Sequence, residues 1–325
     1  MHRSILVTGA SGFAGTHLLA HLTRTRLESR TTDTTTSIEA WSRPHGQAAR
    51  PIESVGWNAI DVLDAGAVDA AIAGSQPSEI YHLAGAANVG ASWLRSSEQL
   101  RTHVLGTHHV LRSVRRHVPA CRVLVVSSGM IYRPQPQPVD EFAGLGPVSP
   151  YGLSKLAEDQ LAQHAASHDQ LDVVIARPFN HIGPGQSPDF AASSFALQIA
   201  EIELGRRAPV IAVGNLEAAR DLTDVRDVVA AYAALMQRGT TATSYNICSG
   251  SAVSMHTVLQ QLLTLSPAHV TITLDESRLR PSDVPYLAGN AARLIADTGW
   301  RPQTPLVETL RDLLDHWRAA LRQAN

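Results

Sequence analysis

The sequence predicts an α/β protein with a doubly wound parallel sheet, followed by a smaller C-terminal lobe. Short apolar runs alternate with helical patterns through the first half of the chain, as expected for strands that pair in parallel through helical crossovers. A glycine turn directly follows the first run, and the pattern becomes irregular after residue 178. We therefore expect one domain over 1–178 and a second lobe mainly over 179–325, with some segments returning to the first domain.

The composition indicates a globular protein with a sizeable core. The chain has 325 residues, of which 44% are hydrophobic and 17% charged. Its formal net charge of −2 gives no electrostatic reason to expect nucleic acid or an anionic membrane as a partner. Cys121 and Cys248 lie in apolar runs, which is typical of buried thiols in a reducing compartment. We find no leader pattern and no apolar run of membrane-spanning length, so we expect a cytoplasmic protein.

Strands and helices follow from the apolar periodicity. The clearest strands are 4–9, 37–42, 79–85, 121–128 and 171–178. Helical patterns cover 64–74, 100–117, 151–168, a stretch around 191–205, and the closing segment 304–322. The threonine-rich segment 23–37 has no apolar period, and we expect most of it to form an exposed, mobile extension between the first helix and the second strand.

Three glycines form the turn after the first strand. Gly9, Gly12 and Gly15 follow a G-x-x-G-x-x-G spacing, which is related to the dinucleotide-binding fingerprint but not identical to it. The first glycine lets the strand turn sharply, the second lets backbone amides approach a pyrophosphate, and the third allows close helix–strand packing. The N-terminus of the following helix would face the phosphates with its free N–H groups. This arrangement predicts a dinucleotide site.

A tyrosine and a lysine lie four residues apart at the start of the helix predicted over 151–168. Tyr151 and Lys155 therefore share one helical face. An ammonium group near a phenol favours the phenolate, and a phenol adjusted in this way can exchange a proton with a substrate oxygen near neutral pH. Taken alone, a Tyr-x-x-x-Lys match is common, and the pair favours an ordinary solvated first turn of a helix.

Further motifs occur in a characteristic order along the chain. They are AIDVLD (59–64), YHLAGAANVGAS (81–92), VVSSGMIY (125–132), YGLSK (151–155) and RPFNHIGPGQ (177–186). Together with the glycine turn, they make the sequence resemble the extended short-chain dehydrogenases/reductases that act on nucleotide sugars. The resemblance runs from the first strand to the last helix, except for the threonine-rich segment. It implies a Rossmann-type domain that binds a nicotinamide dinucleotide and a C-terminal lobe that binds the nucleotide sugar.

This resemblance implies roles for individual residues. Tyr151 would donate or accept the proton, Lys155 would hold the nicotinamide ribose and tune Tyr151, and Ser128 would hydrogen-bond the reacting oxygen. The implied cofactor contacts are Gly9, Gly12, Phe13, Ala14, Gly15, Asp61, Val62, Leu83, Ala84, Gly85 and Phe179. The end of the second strand carries Arg43 and no acid. Because an arginine accommodates a 2′-phosphate, we expect NADPH, with NADH as the alternative.

The residues after Ser128 bear on the type of reaction. Family members that remove water carry acids there, because elimination needs groups that move protons at further positions of the sugar. This chain has Gly129 and Met130 instead, which argues against a 4,6-dehydratase. A combined epimerase/reductase resembling GDP-fucose synthase would need a cysteine beside Ser128, whereas Cys121 lies at the opposite end of its strand. His181 is left as either an acid or a loop residue, and a 4-ketoreductase or a 4-epimerase remains.

Distal motifs favour the reductase. The segments 177–190, 213–229, 245–250 and 279–285 resemble those of reductases that convert GDP-4-keto-6-deoxy-D-mannose to GDP-D-rhamnose. By this resemblance, the substrate contacts are Arg220 and Arg280 at the diphosphate, Asp283 at a ribose hydroxyl, Asn180 at the sugar or diphosphate, and Asn215 with Leu216 at the base. For Arg220, a surface ion pair with Asp221 is the alternative.

One departure from the family pattern lies in the helix predicted over 100–117. His103 stands where relatives usually carry an asparagine that braces the backbone near the lysine, and imidazole could imitate one of its hydrogen bonds. The other histidines of this helix do not share a ligand-spaced face with it, so we expect no metal site. By resemblance, the helices over 100–117 and 151–168 would pair with their copies in a four-helix bundle and form a homodimer.

Two alternatives to an NADPH-dependent reductase stay open. A nucleotide-sugar 4-epimerase would hold NAD tightly and show no net redox change. The other alternative is a nucleotide-sensing binding protein without catalysis, which the retention of Ser128, Tyr151 and Lys155 disfavours.

Overall fold

The computed structural model describes residues 3–28, 36–44, 52, 54–87, 89–279 and 284–323. Within these ranges the strands are β1 (Arg3–Thr8), β2 (Thr36–Ser42), β3 (Gly56–Ala59), β4 (Glu79–His82), β5 (Arg122–Val126), β6 (Val173–Pro178), β7 (Asn180–Ile182), β8 (Val210–Val213), β9 (Ala219–Asp224), β10 (Ser244–Ile247), β11 (Ala252–Ser254), β12 (Thr271–Leu274) and β13 (Tyr286–Leu287). The helices are α1 (Phe13–Glu28), α2 (Ala65–Ser75), α3 (Ser96–Leu100), α4 (Thr107–His117), α5 (Pro150–Ser167), α6 (Ala191–Glu203), α7 (Val225–Arg238), α8 (Met255–Thr264), α9 (Ala292–Thr298) and α10 (Leu306–Gln323). A π-helical turn, Arg101–Gly106, joins α3 to α4.

The central feature of the described residues is a seven-stranded sheet in the order β10-β6-β5-β4-β1-β2-β3. Every adjacent pair of its strands is parallel. The strand order reverses at β1 and β4, which opens a crevice at their carboxyl ends, where ligands bind in sheets of this kind. This architecture confirms the predicted Rossmann-type α/β class.

Both faces of the central sheet are covered, so its middle strands are apolar throughout. In β5, Leu124 packs in one buried cluster, whereas Val123 and Val125 pack in another, because successive side chains of a strand point to opposite faces. Helices α1, α7 and α9 contribute to the first cluster, and α2, α4 and α5 contribute to the second. With both faces apolar, polar side chains concentrate at the strand ends.

The C-terminal part of the chain forms a further buried core. Helices α6, α8 and α10 pack together through residues that include Ile199, Leu259 and Leu313. Beside them, β9 pairs with β7, β11 and β13, and β8 pairs with β12. Strand β10 instead joins the central sheet, where Tyr245 lies opposite Ala176 of β6. Backbone hydrogen bonds therefore connect the C-terminal part to the sheet.

The predicted strands and helices are present with small shifts, and three differences have physical reasons. Strand β3 was not predicted because this edge strand, GWNA, is largely exposed and has no apolar run. Helix α1 continues through Glu28, so the prediction of an irregular extension is wrong for residues 23–28. Threonine is compatible with the helix there because the Thr25 hydroxyl donates to carbonyls of its own helix. Residues 29–35 lie outside the described residues. The helix predicted from residue 100 begins at Ser96 and includes the π-helical turn.

The two cysteines are buried free thiols, as predicted. Burial raises the pKa of the Cys121 thiol to about 12, which makes it a weak nucleophile. Across the described ranges, no helix combines the length and the apolar character needed to cross a bilayer.

Candidate active site

The predicted cofactor and catalytic residues gather at one edge of the central sheet. Parallel strands end on the same side, so the residues that follow them meet there. Taken along the chain from β1 to β6, the residues just after the strand ends include Gly9, Arg43, Asp61, Leu83, Ser128 and Phe179. This edge includes the crevice between β1 and β4, and it is the place where a dinucleotide would lie.

The glycine turn after β1 has no room for side chains at two positions. Gly9 has a φ of +65°, and a β-carbon there would lie 2.7 Å from the amide nitrogen of Ala84. A β-carbon on Gly15 would lie 2.8 Å from the α-carbon of Ala10, so this glycine lets α1 pack against the turn. The amide of Gly12 donates to the Gly9 carbonyl over 3.0 Å. These features fit the close approach of a pyrophosphate to backbone amides.

Helix α1 begins within this turn, at Phe13, and Ala14 follows. The Phe13 ring stacks on the imidazole of His181, with 5.9 Å between ring centroids. Burial lowers the pKa of His181, so its imidazole is neutral near pH 7. The structure therefore places His181 against the start of α1 and gives it a packing role there.

The ends of β2 and β3 lie beside each other. Arg43 is exposed directly after β2, where the Ser42 carbonyl accepts a hydrogen bond of 2.9 Å from the Ile60 amide. Asp61 follows, and one of its carboxylate oxygens accepts a hydrogen bond of 2.9 Å from Leu63 N. Val62 is buried against the α-carbon of Gly106, where a β-carbon would come to 2.8 Å. The turn after β3 is thus held by its own hydrogen bonds and by the helix that contains His103.

The residues after β4 line the opposite side of the glycine turn. Ala84 is buried, Leu83 is half-buried and Gly85 is exposed. The amide of Ala84 donates to the hydroxyl of Thr8 over 3.2 Å, which ties this segment to the end of β1. A β-carbon on Gly85 would lie 2.7 Å from the imidazole of His103. This segment therefore runs between the glycine turn and the π-helical turn that contains His103.

Helix α5 places Tyr151 and Lys155 beside the turn that carries Ser128. The Ser149 hydroxyl caps the helix by accepting a hydrogen bond of 3.1 Å from the Gly152 amide. A β-carbon on Gly152 would lie 2.5 Å from the carbonyl oxygen of Met130, so the helix start packs tightly against that turn. Tyr151 and Lys155 are 8% and 6% exposed.

Two acceptors hold the ammonium group of Lys155. Its Nζ donates to the Val126 carbonyl over 2.8 Å and to Oε2 of Glu158 over 2.7 Å. Burial alone would lower the pKa of Lys155, but attraction by Glu158 and Tyr151 outweighs burial and raises it. Lys155 therefore stays charged, and its contact with the last residue of β5 fixes α5 to the strand that leads to Ser128.

Ser128 begins a short 3₁₀ turn, Gly129–Ile131. Its Oγ accepts a hydrogen bond of 3.1 Å from the Met130 amide, which leaves the hydroxyl hydrogen for a second partner. Gly129 lies against the ring of Phe179, where a β-carbon would approach ring carbons to 3.0 Å. Phe179 is buried, packs against Tyr132, and would be 2.6 Å from a β-carbon on Gly289.

His103 lies in the π-helical turn and is fully buried. Its Nδ1 is 2.8 Å from the hydroxyl of Ser154, which in turn donates to the Tyr151 carbonyl over 2.8 Å. Burial and the nearby Lys155 lower the pKa of His103 to about 2, so the imidazole is neutral. The imidazole thus supports the backbone of the first turn of α5.

The predicted substrate residues lie around β7 and β9. Asn180 is half-buried and starts β7, which pairs with β9. In β9, Arg220 is half-buried and Nη1 donates to the Ala219 carbonyl over 2.9 Å. Asp221 is buried and accepts hydrogen bonds from Ser249 and Gly250 amides at 2.7 and 2.9 Å, which is not the arrangement of a surface ion pair.

The other members of the predicted substrate set divide into two groups. Asn215 is exposed and Leu216 half-buried, in the segment between β8 and β9. Arg280 and Asp283 lie outside the described residues. Among the described residues, no group of three or more histidine, cysteine or acidic side chains has the geometry of a metal site.

Sequence reasoning missed two acids that follow Lys155 in α5. Glu158 contacts Lys155, and the i,i+3 spacing could have indicated this pair. Asp159 forms a buried ion pair with Arg177, in which Nε and Oδ2 are 2.8 Å apart. Arg177 also donates to the Tyr132 hydroxyl over 2.9 Å. The second pair joins α5 to β6 and depends on tertiary packing, so no local pattern reveals it.

Comparisons with known proteins agree with this fold. Residues 6–313 match the family described as GDP-mannose 4,6 dehydratase. GDP-6-deoxy-D-mannose reductase of Pseudomonas aeruginosa is 30% identical over 328 residues, which cover 99% of this chain and 100% of the relative. UDP-glucose 4-epimerase of Yersinia pestis is 28% identical, with 97% of each chain covered. A solved structure of RMD from Pseudomonas aeruginosa complexed with NADPH has a TM-score of 0.83 and 29% identity, covering 98% of this chain and 99% of that one. The chain therefore belongs to the GDP-mannose 4,6-dehydratase family of extended short-chain dehydrogenases/reductases, which are nicotinamide-dependent enzymes.

Proposed function

We propose that this protein is a 4-ketoreductase that uses NADPH to reduce the 4-keto group of GDP-4-keto-6-deoxy-D-mannose. The product would be GDP-D-rhamnose or a similar GDP-6-deoxyhexose. The full-length similarity to GDP-6-deoxy-D-mannose reductase supports the substrate class. The packing of the start of α5, which carries Tyr151 and Lys155, against the turn that follows Ser128 supports a reaction with one hydride and one proton.

The observation that carries this proposal is the packing around Gly129. A dehydratase needs acidic side chains directly after the hydroxyl residue, and this chain carries Gly129 and Met130 there. The ring of Phe179 fills the space that a side chain at 129 would require. The site is therefore suited to hydride transfer without elimination.

The proposed reaction gives each catalytic residue one task. When bound, the nicotinamide supplies a hydride to carbon 4 of the sugar. The Tyr151 phenol donates its proton to the oxygen of the 4-keto group, and the Ser128 hydroxyl donates a hydrogen bond to the same oxygen. Lys155 holds the cofactor ribose and stabilises the phenolate that remains on Tyr151. A solvent proton then restores the phenol, so one hydride and one proton convert the ketone to an alcohol.

The proposed cofactor arrangement uses the strand ends. The pyrophosphate would lie over Gly9, Gly12 and the start of α1, and the adenine near Asp61. Arg43 would pair with the 2′-phosphate, because a guanidinium group matches phosphate oxygens. The similarity to RMD, solved with NADPH, supports this preference.

The proposed substrate site lies in the C-terminal lobe over 179–325. Arg220 and Arg280 would bind the diphosphate, and Asn180 would orient the sugar or the diphosphate. Asn215 with Leu216 would border guanine, and Asp283 would accept a hydrogen bond from a ribose hydroxyl. The similarity to a GDP-sugar reductase supports guanine as the base.

We also propose a homodimer built on a four-helix bundle. Leu100 at the end of α3 and Leu105 in the π-helical turn are 45% and 43% exposed. Leu153 of α5 is 58% exposed. Burying such side chains against a second copy would remove apolar surface from water. Sedimentation of the purified protein tests this assembly.

A 4-epimerase is the second candidate, because UDP-glucose 4-epimerases also align over nearly the whole chain. An epimerase would hold NAD tightly and return the hydride to the same sugar. It would therefore show no net oxidation of added NADPH.

The deciding experiment follows the absorbance of NADPH with a panel of 4-keto-6-deoxy nucleotide sugars. We expect one NADPH to be oxidised per GDP-linked ketone, with a GDP-6-deoxyhexose as the product by NMR. Interconversion of 4-epimers without NADPH oxidation would favour the epimerase. Ligand binding without turnover of any sugar would favour a nucleotide-sensing protein.

A further inference from the structure

Glu158 is a buried carboxylate that the proposed reaction does not use. Its Oε2 lies 2.7 Å from Nζ of Lys155, one helical turn along α5, and the glutamate is buried. Burial raises the pKa of Glu158, whereas Lys155 favours its charged form. A buried carboxylate of this kind needs partners for both of its oxygens.

The second oxygen of Glu158 is held by a chain of hydrogen bonds. The Thr107 hydroxyl donates to Oε1 over 3.0 Å. Because a hydroxyl has a single hydrogen, its oxygen must accept from Nε2 of His82, which is 2.9 Å away. The pKa of His82 is lowered to about 3, mainly by burial, so this imidazole is neutral and carries its hydrogen on Nε2.

The same argument extends this series of hydrogen bonds to the glycine turn. Nδ1 of His82 is then an acceptor, and the Thr8 hydroxyl donates to it over 2.8 Å. The Thr8 oxygen in turn accepts from the Ala84 amide over 3.2 Å. Every donor therefore points the same way, from the end of β1 to Glu158. The two oxygens of the Glu158 carboxylate thus accept separately, one from this series of hydrogen bonds and one from Lys155.

Several described titratable groups face the Lys155–Tyr151 pair. They include Glu158 and Asp159 on α5, His82 on β4, His103 in the π-helical turn, and Tyr232 on α7. Burial lowers the pKa of both imidazoles and raises that of Tyr232, so all three are neutral near pH 7. Asp159 is paired with Arg177. Glu158 is thus the acid that directly offsets the charge of Lys155.

We propose that Glu158 is a positioning residue that fixes the Lys155 ammonium and offsets its charge, so that Tyr151 rests as a phenol. An ammonium alone would favour the phenolate, whereas a carboxylate beside it weakens that effect. A ketone reduction needs the phenol, because the proton must be on the tyrosine when the hydride arrives. The importance of this effect for catalysis rests on the proposed reductase function, but the charge effect itself does not.

The test is a titration of phenolate absorbance in the NADPH-bound protein, without sugar. Subtracting the spectrum of the Tyr151→Phe variant isolates the absorbance of the Tyr151 phenolate. Burial raises the pKa of Tyr81, Tyr132 and Tyr232, so these three side chains do not interfere with the titration. We expect the phenolate of Tyr151 to form at lower pH in Glu158→Gln than in the parent.

The matched control is Asp169→Asn, which removes an equal charge from a partly exposed pair with Arg115 beyond the end of α5. We expect the control to titrate like the parent. An unchanged titration in Glu158→Gln, or phenolate formation at higher pH, would overturn the proposal.

A second pair of variants keeps the test decisive if Glu158→Gln does not fold. Thr107→Val removes the hydroxyl that donates to Glu158, which weakens its charged form and should also shift phenolate formation to lower pH. Thr107→Ser keeps a hydroxyl and should titrate like the parent. Equal titrations for the two Thr107 variants would show that the hydrogen bonds through Thr107 do not act on Glu158.

The outcome separates this inference from the proposed function. A shifted titration in a protein that reduces no keto-sugar would retain the role of Glu158 and reject the reductase. An unshifted titration in an active ketoreductase would reject the role of Glu158 and retain the reductase.

Discussion

Gly129 and the ring of Phe179 are in such close contact that a β-carbon at position 129 would lie 3.0 Å from three ring carbons. The ring has little freedom to withdraw, because Gly289 and Tyr132 pack against it. This contact links the absence of an acid after Ser128 to the packing of the core. Changing the reaction type would therefore require several coordinated substitutions.

Gly129→Asp tests this link. We expect a loss of about 1–3 kcal/mol in the free energy of unfolding, since the new side chain crowds the Phe179 ring. Urea denaturation measures it, and Gly144→Asp is the control because a β-carbon there meets nothing within 4 Å. Equal stabilities of the two variants would show that the core around Phe179 yields easily.

Tyr151→Phe tests the proposed proton donor. We expect kcat for ketone reduction to fall about a hundredfold or more, because a positioned acid contributes at least that factor. NADPH binding, measured by fluorescence titration, should be retained. Tyr286→Phe serves as the control, and a Tyr151→Phe enzyme with parental turnover would remove the phenol from the mechanism.

Arg43→Ala tests the cofactor preference. Losing the proposed charge-assisted contact with the 2′-phosphate should raise the KM for NADPH about tenfold and leave that for NADH unchanged. Steady-state kinetics with both cofactors measures the ratio, with Arg26→Ala, an exposed position on α1, as the control. A constant ratio would mean that another residue recognises the phosphate.

Asp159→Asn tests the buried ion pair with Arg177. Removing one partner leaves an uncompensated buried charge, so we expect a loss of about 3–5 kcal/mol in the free energy of unfolding. Asp169→Asn, which breaks a partly exposed pair, should change stability by less than about 1 kcal/mol. Similar losses in the two variants would contradict the assigned role of Arg177.

The buried imidazoles predict acid sensitivity. Burial lowers the folded-state pKa of His82 to about 3 and that of His103 to about 2, both below the ordinary value of 6.5. Their contribution to stability is therefore complete above pH 6.5 and is lost as the pH falls towards those values, by about 1.4 kcal/mol per pH unit for each imidazole. Urea denaturation between pH 7.5 and 5 measures the slope.

A substitution identifies the source of that slope. His103→Asn should make the loss of stability with falling pH shallower, because one buried imidazole no longer titrates on unfolding. His256→Asn, at an exposed position on α8, is the control and should keep the parental slope. An identical slope in all three proteins would assign the acid sensitivity to other groups.

The sequence predicted the fold where the signal is local. Apolar runs located β1, β5 and β6, because strands covered on both faces must be apolar throughout. Strand β3 was missed because its side chains are mostly exposed and its pairing with β2 is a tertiary feature. The π-helical turn gave no signal either, since its six residues, RTHVLG, carry no local feature that separates one helix type from another.

The candidate site divides in the same way. Motifs predicted Ser128, Tyr151 and Lys155 as site residues, because these residues lie at strand ends and helix starts that the pattern locates. The partner of Lys155 was readable from spacing, but the chain from Glu158 through Thr107 to His82 joins three separate elements. Contacts of this kind depend on the packing of helices against the sheet, which local patterns do not encode.

Strand β10 comes from the C-terminal half of the chain but pairs with β6 in the central sheet. A truncated protein ending at residue 178 would leave a row of unpaired amides and carbonyls along β6, an open edge that invites self-association. Grafting the C-terminal half of a relative at a single junction would replace this strand as well. Engineering a new sugar specificity would therefore succeed best through loop exchange that leaves β10 in place.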